Sequence, residues 1–515
     1  MEFISILNDV LGPVMRGPSS SHTAGSYHIG RLVRSLLGEE PAQAAFTFDP
    51  KGSYAATYRQ QGVDLALTAG LLGWPITDDR FARALALAPR LGLRPRFRVA
   101  SLEGADHPNT VAIELAGRSG RELHATAKSV GGGMVFVTCL DGRPVRLDGK
   151  SYDVLVLAKD RKARAVETIV AADGRTVGQP VRSVKHGEAF LSFKRTAPLG
   201  PEALTALGRI EGVHRTWTAA PLFFIQKGTP LFRSGKEMVA LARRSGVSLG
   251  RIALAYEARL LGLTEAKVVA EIGRRFDIMR ASVDRGLAGR GLGLKLLKPA
   301  AGRIFHAEAR RALPTGGVPT RAAARAMAAL HVSNSGGIVC AAPTGGSAGV
   351  LPGVVVTLVE EGRLGGKRTA LTLLAAGAVG TIVARRATFA AEVAGCQVEI
   401  GAAGAMAAAA VVEAAGGSAA QAADAAAVAL QNTMGSVCDL VQGLCEIPCH
   451  TRNAVAASSA FVCADIVLGG YMNPIPLDET IDASFASGRM LPAELRCTAL
   501  GGLAVTPSAL ALKKR

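Results

Sequence analysis

The stretch Gly-Gly-Ile-Val-Cys-Ala-Ala-Pro-Thr-Gly-Gly-Ser-Ala-Gly, residues 336–349, is the first of three small-residue segments in the C-terminal half that carry cysteines. The second is Gly-Cys-Gln-Val-Glu-Ile-Gly, residues 395–401, and the third holds Cys438, Cys445 and Cys449. Thiolates are the ligands of iron–sulfur clusters, and small neighbours leave room for a bulky inorganic core. The pattern suggests a cluster site assembled by the fold. The alternative is that these are buried free cysteines, since none of the compact ferredoxin spacings occurs.

Length and composition indicate a large, packed protein of several domains. The chain has 515 residues, 49% of them apolar and 19% charged, which favours two to four domains and excludes global disorder. The formal net charge is +18, but the basic residues are dispersed and only 5% of residues are aromatic. A nucleic-acid interface needs a concentrated basic patch or an aromatic platform, so we expect no nucleic-acid partner.

The sequence predicts a soluble, cytoplasmic protein. The N-terminus lacks the basic start and apolar core of a signal peptide. The longest apolar stretches are 337–358, which contains two prolines, and 370–384, which is too short to span a bilayer. In the cytoplasm thiols stay reduced, so eight cysteines favour metal binding or catalysis over disulfides.

Three regions follow one another along the chain. Residues 1–150 mix helical and strand patterns and end in a strand-like run at Gly131–Val137. Residues 151–220 read as strand, helix, two strands, helix and strand, the βαββαβ order of ferredoxin-like modules. Residues 221–515 are dominated by helical periodicity broken by glycine-rich turns, with several alanine-rich helices apolar on every face. The predicted fold class is therefore α+β and multidomain.

Two polar turns lie in the N-terminal region. The first, Gly-Pro-Ser-Ser-Ser-His-Thr-Ala-Gly at residues 17–25, places four hydroxyls and an imidazole just ahead of a predicted helix. Hydroxyls together with helix-start N–H groups suit a carboxylate, and five polar side chains in a row favour this interpretation over an ordinary N-cap. The second turn, residues 106–110, offers His107. In the C-terminal region, His450 and Arg452 follow Cys449, and Glu399 follows Cys396 by three residues.

Taken together, these motifs resemble the bacterial iron–sulfur L-serine dehydratases. The resemblance covers nearly the whole chain, in the order of the family, and is closest to its two-subunit form, here with β and α regions fused. It rests on five motifs: Gly-Pro-Ser-Ser-Ser-His-Thr at 17–23, His-Pro-Asn-Thr at 107–110, Cys-Ala-Ala-Pro-Thr-Gly-Gly-Ser-Ala-Gly at 340–349, Gly-Cys-Gln-Val-Glu-Ile-Gly at 395–401, and the run from Cys438-Asp through Ile-Pro-Cys449 to Arg452-Asn453.

The resemblance implies a β domain at 1–150, an ACT-like module at 151–220 and a helical, cluster-bearing α domain at 221–515. It further implies a [4Fe–4S] cluster with one iron not held by cysteine. The activity would be that of an L-serine ammonia-lyase that forms pyruvate and ammonia, with L-serine as the small-molecule partner. A homodimer without membrane partners is expected. Two alternatives stay open, an iron–sulfur lyase for L-cysteine or L-threonine and a cluster-less metabolite-binding regulator.

By the same resemblance, Cys340 and Cys396 are expected cluster ligands, and Cys438 and Cys449 compete for the third place. The other four cysteines are then structural. The expected substrate-binding residues are Ser19, Ser20, Ser21, His22, Thr23, Asn109 and Thr110. His107 and His450 are candidate catalytic residues, and the general base is not identified.

The chain departs from the family pattern at several positions. Gln61 stands where the family usually has a histidine, and Leu440 replaces the proline of a Cys-Asp-Pro run. Ala348 and Gly404 occupy places where the single-chain branch has further cysteines. The Gln61 replacement bears on the choice of substrate, and the cysteine differences leave the ligand set open.

Overall fold

The computed structural model describes residues 3–362 and 364–514, in which the strands form three sheets. The first sheet lies in the N-terminal part and has six strands in the order β3-β2-β4-β5-β6-β7, with only the β2–β3 pair parallel. The elements up to its last strand are β1 (Val14–Arg16), α1 (Gly25–Leu37), β2 (Pro41–Phe48), α2 (Ser53–Thr57), α3 (Val63–Leu72), α4 (Ala84–Leu87), β3 (Arg94–Val99), β4 (Thr110–Gly117), β5 (Glu122–Gly131), β6 (Met134–Leu140) and β7 (Arg143–Leu147).

The run expected to be one strand at Gly131–Val137 is instead a hairpin turn followed by a strand. Gly131, Gly132 and Gly133 all have positive φ, which interrupts extended backbone between β5 and β6. A Cβ on Gly131 would lie 2.7 Å from the backbone nitrogen of Ala390, so the turn approaches the C-terminal half at backbone distance. This contact joins the first sheet to the segment that precedes Cys396.

The βαββαβ order predicted for residues 151–220 is confirmed. The elements are β8 (Tyr152–Lys159), α5 (Ala163–Ala171), β9 (Thr176–Lys185), β10 (Glu188–Arg195), α6 (Pro201–Arg209) and β11 (Val213–Ala219). The strands form an antiparallel sheet in the order β11-β8-β10-β9. Because side chains alternate along β8, Val154 and Val156 pack in the core of this module, whereas Leu155 packs in the core of the first sheet. Whether the module is ACT-like stays a prediction.

The rest of the chain is mostly helical, as expected. Its elements are α7 (Gly235–Ser245), α8 (Leu249–Leu261), α9 (Glu265–Ala288), α10 (Ala301–Ala309), α11 (Gly317–Asn334), β12 (Ile338–Cys340), α12 (Val350–Glu360), α13 (Lys367–Arg386), α14 (Ala391–Ala394), α15 (Ile400–Ala414), α16 (Ala419–Gln431), α17 (Cys449–Leu468), α18 (Leu477–Arg489) and α19 (Pro507–Ala511). The alanine-rich α15 and α16 are buried along most of their length. Small side chains let such helices pack closely in one large core.

The start of the chain is built into this helical core. Ile6, Leu7 and Val10 belong to the same buried cluster as α8, α9 and α13. The buried Glu257 carboxylate on α8 accepts hydrogen bonds from the backbone N–H groups of Ile6 and Leu7 at 2.8 and 2.9 Å. Strand β1 then pairs antiparallel with β12, with Val14 opposite Cys340. The boundaries at 150 and 220 stay predictions, but residues 6–16 pack with the C-terminal region.

Within the part of the chain that the structure describes, two segments have the length and apolar character of membrane-spanning helices, Lys367–Arg386 and Cys396–Ala414. Of their most apolar windows, 78% and 89% respectively are buried inside the protein. Both are therefore core helices of the C-terminal region.

Candidate active site

A wide helical turn at Ser20–Ala24 places a run of hydroxyls inside the protein, directly ahead of α1. Ser19 caps the turn, since its Oγ accepts a hydrogen bond from the backbone N–H of His22 at 3.1 Å. The side chains of Ser19–Thr23 are all buried. Ser20 Oγ has no hydrogen-bond partner among the described residues, so this hydroxyl is available to a ligand.

His22 is held as a neutral imidazole. Burial, and to a lesser extent the neighbouring His107, lowers the pKa of His22 to about 3. Ser53 Oγ donates to the carbonyl of Cys497 at 3.1 Å, so its contact with His22 Nε2 at 3.0 Å requires His22 to donate. The Nδ1 atom of His22 is then a bare acceptor, facing the hydroxyls of Ser19 and Ser21 at 3.3 and 3.0 Å. His22 thus fixes the orientation of the serine hydroxyls.

The glycine-rich loop before α12 forms a second wall of the site. A Cβ on Gly345 would lie 2.8 Å from the backbone nitrogen of Ser20, so only glycine allows this approach. Asn453 on α17 fastens the same loop: its Nδ2 donates to Gly346 O at 2.8 Å and its Oδ1 accepts from Gly349 N at 3.1 Å. The serine turn of the N-terminal region therefore lies against the C-terminal region.

The second polar turn reaches the same place. Asn109 is fully buried, and its Nδ2 donates to the carboxylate of Glu392. Its backbone N–H donates to His107 Nδ1 at 3.1 Å, and Thr110 Oγ1 donates to His107 O at 2.8 Å. Burial lowers the pKa of His107 to about 4, so its imidazole is neutral. Asn109 Oδ1 has no partner among the described residues and is a second orphan polar atom of this site.

Glu392, which no sequence motif singled out, places a buried carboxyl in this site. Burial raises the pKa of this carboxyl to about 7, against the weaker opposing effect of its hydrogen bonds from its own backbone, Asn109 and Ser21. Glu399 lies nearby, with the Thr344 hydroxyl bonded to it, and burial raises its pKa well above the usual value. Two protonatable carboxyls thus stand between the serine turn and the cysteines. A charged residue in the apolar run before Cys396 is the signal that could have identified Glu392.

The thiols of the C-terminal region gather beside these carboxyls. The Cys438 thiol interacts with those of both Cys396 and Cys497, and the Cys445 thiol with that of Cys449. Backbone hydrogen bonds hold the arrangement, since Cys438 N donates to Leu495 O at 2.8 Å and Cys497 N to Cys438 O at 2.9 Å. All five cysteines are buried.

The guanidinium of Arg452 lies beside this group of thiols. Arg452 Nη1 lies 3.5 Å from Cys396 Sγ, and its Nη2 lies 3.0 Å from Asp439 Oδ1. The charge of Arg452 also acts on Cys438 and Cys449. The Cys438 thiol and the Arg452 guanidinium lower the pKa of Cys396, which favours its thiolate.

This donor set fits an iron–sulfur cluster better than a single metal ion. No three His, Cys, Asp or Glu side chains of the described residues converge as the ligands of one ion would. In a four-iron cluster each thiolate binds its own iron atom, so the ligands need not converge. Several buried thiols beside one guanidinium satisfy the need for soft, anionic ligands.

Cys340 is not brought to this group, contrary to the expectation that it is a ligand. Its thiol lies 3.6 Å from the carbonyl oxygen of Leu11. Burial raises its pKa to about 11, and the charged groups that act on it are Arg275, Arg274 and Glu271 rather than other thiols. The pairing of β1 with β12 directs this segment toward the N-terminal turn at Ile6–Val10. Cys497, expected to be structural, lies in the thiol group, where its thiol interacts with that of Cys438.

His450 also lies apart from the serine turn. Its ring packs edge-on against His331 at a centroid distance of 4.9 Å, and its Nε2 lies 3.0 Å from Asn334 Nδ2. Burial lowers the pKa of His450 to about 3. Of the two candidate catalytic histidines, the structure places only His107 with the substrate-binding candidates.

Gln61 completes the site from the N-terminal region. Its backbone carbonyl accepts from Thr23 Oγ1 at 2.8 Å, and its Nε2 lies 4.0 Å from Cys497 Sγ. Its side chain is 1% exposed. The residues of the site are buried, and a groove of about 790 Å³ lies elsewhere, between α7, α16 and α18. The arrangement brings hydroxyls and amides, two buried carboxyls and several thiols into one region of the protein.

Comparison with known proteins finds relatives of the C-terminal half of the chain. The model of the family described as "Serine dehydratase alpha chain" matches residues 233–504. The "Probable L-serine dehydratase, alpha chain" of Bacillus subtilis is 36% identical over 286 residues, which cover 55% of this chain and 95% of that protein. The "L-serine dehydratase, alpha chain" of Peptoniphilus asaccharolyticus is 31% identical over 276 residues, covering 53% of this chain and 94% of the relative.

A second kind of relative matches as well. The "Probable L-serine dehydratase, beta chain" of Bacillus subtilis is 42% identical over 161 residues, which cover 31% of this chain and 71% of that protein. One polypeptide thus contains sequence related to both an alpha and a beta chain.

Proposed function

Because this chain belongs to the serine dehydratase family, with α-chain and β-chain sequence in one polypeptide, we propose that it converts L-serine to pyruvate and ammonia. One observation carries the proposal: the Ser19–Thr23 turn, the Glu392 carboxyl and the thiol group are all buried and lie next to one another. Such a site can hold an amino acid by its carboxylate while acting on its Cα and Cβ atoms.

A [4Fe–4S] cluster is the proposed cofactor, held by Cys396, Cys438 and Cys449. These three thiols share the guanidinium of Arg452, whose positive charge suits an anionic cluster. The thiol of Cys497 also interacts with that of Cys438, but Cys497 is not one of the proposed ligands. When bound, a cluster with one iron free of protein ligands supplies a Lewis acid for the β-hydroxyl of serine.

The polar residues bind and orient the substrate. The Ser20 hydroxyl and the Asn109 amide oxygen, which lack partners in the protein, are the proposed contacts to the carboxylate and the ammonium respectively. Ser19, Ser21 and Thr23 complete the turn, His22 holds the serine hydroxyls, and Thr110 fixes the second turn. Burial of these groups excludes water and strengthens each hydrogen bond to the substrate.

Glu392 is the proposed general base. It takes the Cα proton, and the pair of electrons left on Cα forms the new C=C bond as the Cβ–O bond breaks and hydroxide departs, to be protonated to water. The released enamine tautomerises to an imine, which water hydrolyses to pyruvate and ammonia. A base with a pKa of about 7 is matched to this task at neutral pH.

We further propose a cytoplasmic homodimer without nucleic-acid or membrane partners. Its eight free cysteines suit a reducing compartment such as the cytoplasm. The module at 151–220 contributes none of the site residues described above. That module is proposed to be ACT-like and to serve regulation or assembly.

The decisive experiment is anaerobic purification followed by iron and sulfide analysis, a visible spectrum and an ammonia assay. We expect a brown protein with about four irons per chain that releases ammonia from L-serine faster than from L-cysteine or L-threonine. Preference for one of the other two amino acids would reassign the substrate. A colourless, iron-free protein that binds amino acids without turnover would contradict the proposal and favour a regulator.

A further inference from the structure

Gln61 occupies a distinctive position at the junction of the two halves of the site. It lies in the turn between α2 and α3, and the Thr23 hydroxyl donates to its backbone carbonyl at 2.8 Å. Its side chain extends to the thiol of Cys497, at 4.0 Å from Nε2. Gln61 thus connects the serine turn to the thiol group.

The amide oxygen of Gln61 is buried and has no partner among the described residues. Buried polar atoms in folded proteins are almost always hydrogen-bonded, because an unpaired acceptor loses its bonds to water and gains nothing. Ser20 Oγ and Asn109 Oδ1 share this condition in the same site. These three orphan polar atoms, all in residues of the site, are the candidate contacts for a ligand.

The three atoms are not equivalent in position. Asn109 is bonded to Glu392, and Ser20 is in the turn proposed to bind the substrate carboxylate. The Gln61 amide is the one that contacts the thiol group, through Cys497. A cluster held by Cys396, Cys438 and Cys449 would supply a Lewis acid for the β-hydroxyl, so in the proposed function the substrate's β-hydroxyl would face the thiol group and the Gln61 amide beside it.

We propose that the Gln61 amide oxygen accepts a hydrogen bond from the β-hydroxyl of the substrate and thereby makes the site selective for hydroxy amino acids. This inference rests on the proposed function. An amide oxygen is an acceptor only, so it turns the hydroxyl hydrogen toward itself and leaves the oxygen lone pairs directed away. A glutamine amide does not titrate at neutral pH, so Gln61 positions the leaving group and does not protonate it.

The test compares two ligands that differ only in the hydroxyl, L-serine and L-alanine. Binding is measured by anaerobic calorimetry on the full-length, cluster-loaded protein carrying Glu392→Gln, in which removal of the proposed base slows consumption of serine. Gln61→Met is added to this background, since methionine keeps the length of glutamine and lacks the acceptor. Gln60→Met, at the neighbouring position of the same turn, is the matched control.

We expect Gln61→Met to weaken L-serine binding about tenfold to a hundredfold, the usual effect of losing a hydrogen bond to a ligand. L-alanine binding should change less than about twofold, so the preference for serine collapses. The visible spectrum should stay that of the parent protein, and Gln60→Met should leave both affinities unchanged. Gln61→Glu, which retains an acceptor oxygen, should keep a preference for serine and gives a second reading where Gln61→Met folds poorly.

Equal losses for L-serine and L-alanine would overturn the inference, because they would place Gln61 on the ammonium or carboxylate. An unchanged preference in Gln61→Met would overturn it as well. Ammonia release from L-serine by the unmodified protein reports separately on the proposed function. An inactive unmodified protein with an intact serine preference would therefore refute the function and not the hydroxyl contact.

Discussion

Replacing Glu392 by glutamine tests the proposed base at the atom where the reaction begins. Glutamine keeps the size of the side chain and still accepts a hydrogen bond from Asn109, so the buried surroundings are preserved. It removes the ability to take a proton. The charge of Glu392 acts on the pKa of Glu399, Cys497 and Tyr54, and the substitution leaves these three residues in place.

The expected size follows from the pKa of about 7 that burial gives this carboxyl. A base with this pKa is about 9% ionised at pH 6 and about 91% at pH 8, so kcat/KM should rise about tenfold between these values and level off above. Loss of a general base costs about a hundredfold to ten-thousandfold. We therefore expect Glu392→Gln to lower kcat/KM by that factor and to abolish the pH slope.

A second readout is stability. The folded-state pKa of Glu392 is raised above its unfolded value, so from about pH 4.5 the unfolded chain ionises first and stability falls until about pH 7. The full cost is about 3 kcal/mol and is present above pH 7. Glu392→Gln should thus melt at a higher temperature than the parent at pH 8, with a smaller difference at pH 5.

The assay is pyruvate formation from L-serine between pH 5.5 and 9 under nitrogen, with iron content measured for each preparation. Glu413→Gln is the control, because Glu413 also has a pKa raised by burial but bonds to Ser248, away from the site. Retention of both the rate and the pH slope in Glu392→Gln would refute the assignment of the base. Loss of iron in this variant would show that its role is structural.

Four further outcomes are expected. Cys438→Ser should lose the iron, the visible absorbance and nearly all kcat, whereas Cys340→Ser should keep all three, because Cys340 contacts Leu11 and lies apart from the thiol group; a bleached Cys340→Ser would restore it as a ligand. Ser20→Ala should keep the cluster and lower kcat/KM about tenfold to a hundredfold, read from initial rates, since it removes a hydrogen bond to a charged group. Gly345→Ala should raise KM for L-serine, because its Cβ would lie 2.8 Å from Ser20 N and displace the serine turn; unchanged kinetics would contradict this packing. Activity should fall in air and return with ferrous iron and a thiol, and full activity after aerobic storage with a chelator would exclude an exposed iron.

Local patterns in the sequence predicted much of the fold. The βαββαβ order expected for residues 151–220 and the helical character expected for residues 221–515 are both observed. Both depend on periodicity within one element, which the sequence displays directly. The run at Gly131–Val137 failed because three glycines with positive φ make a turn where apolar residues alone suggested a strand.

The candidate site was predicted less completely, because it depends on contacts between distant segments. The serine turn and the Asn109 turn stand out in the sequence since each carries several polar residues in a row, and the structure places both against Glu392. Its motif makes Cys340 a candidate ligand, but where its thiol lies depends on the pairing of β12 with β1, more than 300 residues away in the chain. Cys497 lies in the thiol group although no motif singled it out; Gly501 and Gly502 follow it closely, the same small-residue context as the other cysteines.

The packing of residues 6–16 into the helical core determines how activity depends on enzyme concentration. The serine turn follows directly on that segment, so the proposed substrate-binding turn is tethered to the thiol group within one polypeptide. A tether replaces a bimolecular encounter by a unimolecular one, with an effective concentration on the order of millimolar for short connections. If the two sides were separate chains, the site would disassemble below the dissociation constant of their complex. In this fused chain no association of separate chains is needed to form the site, so the specific activity should be the same at nanomolar and at micromolar enzyme.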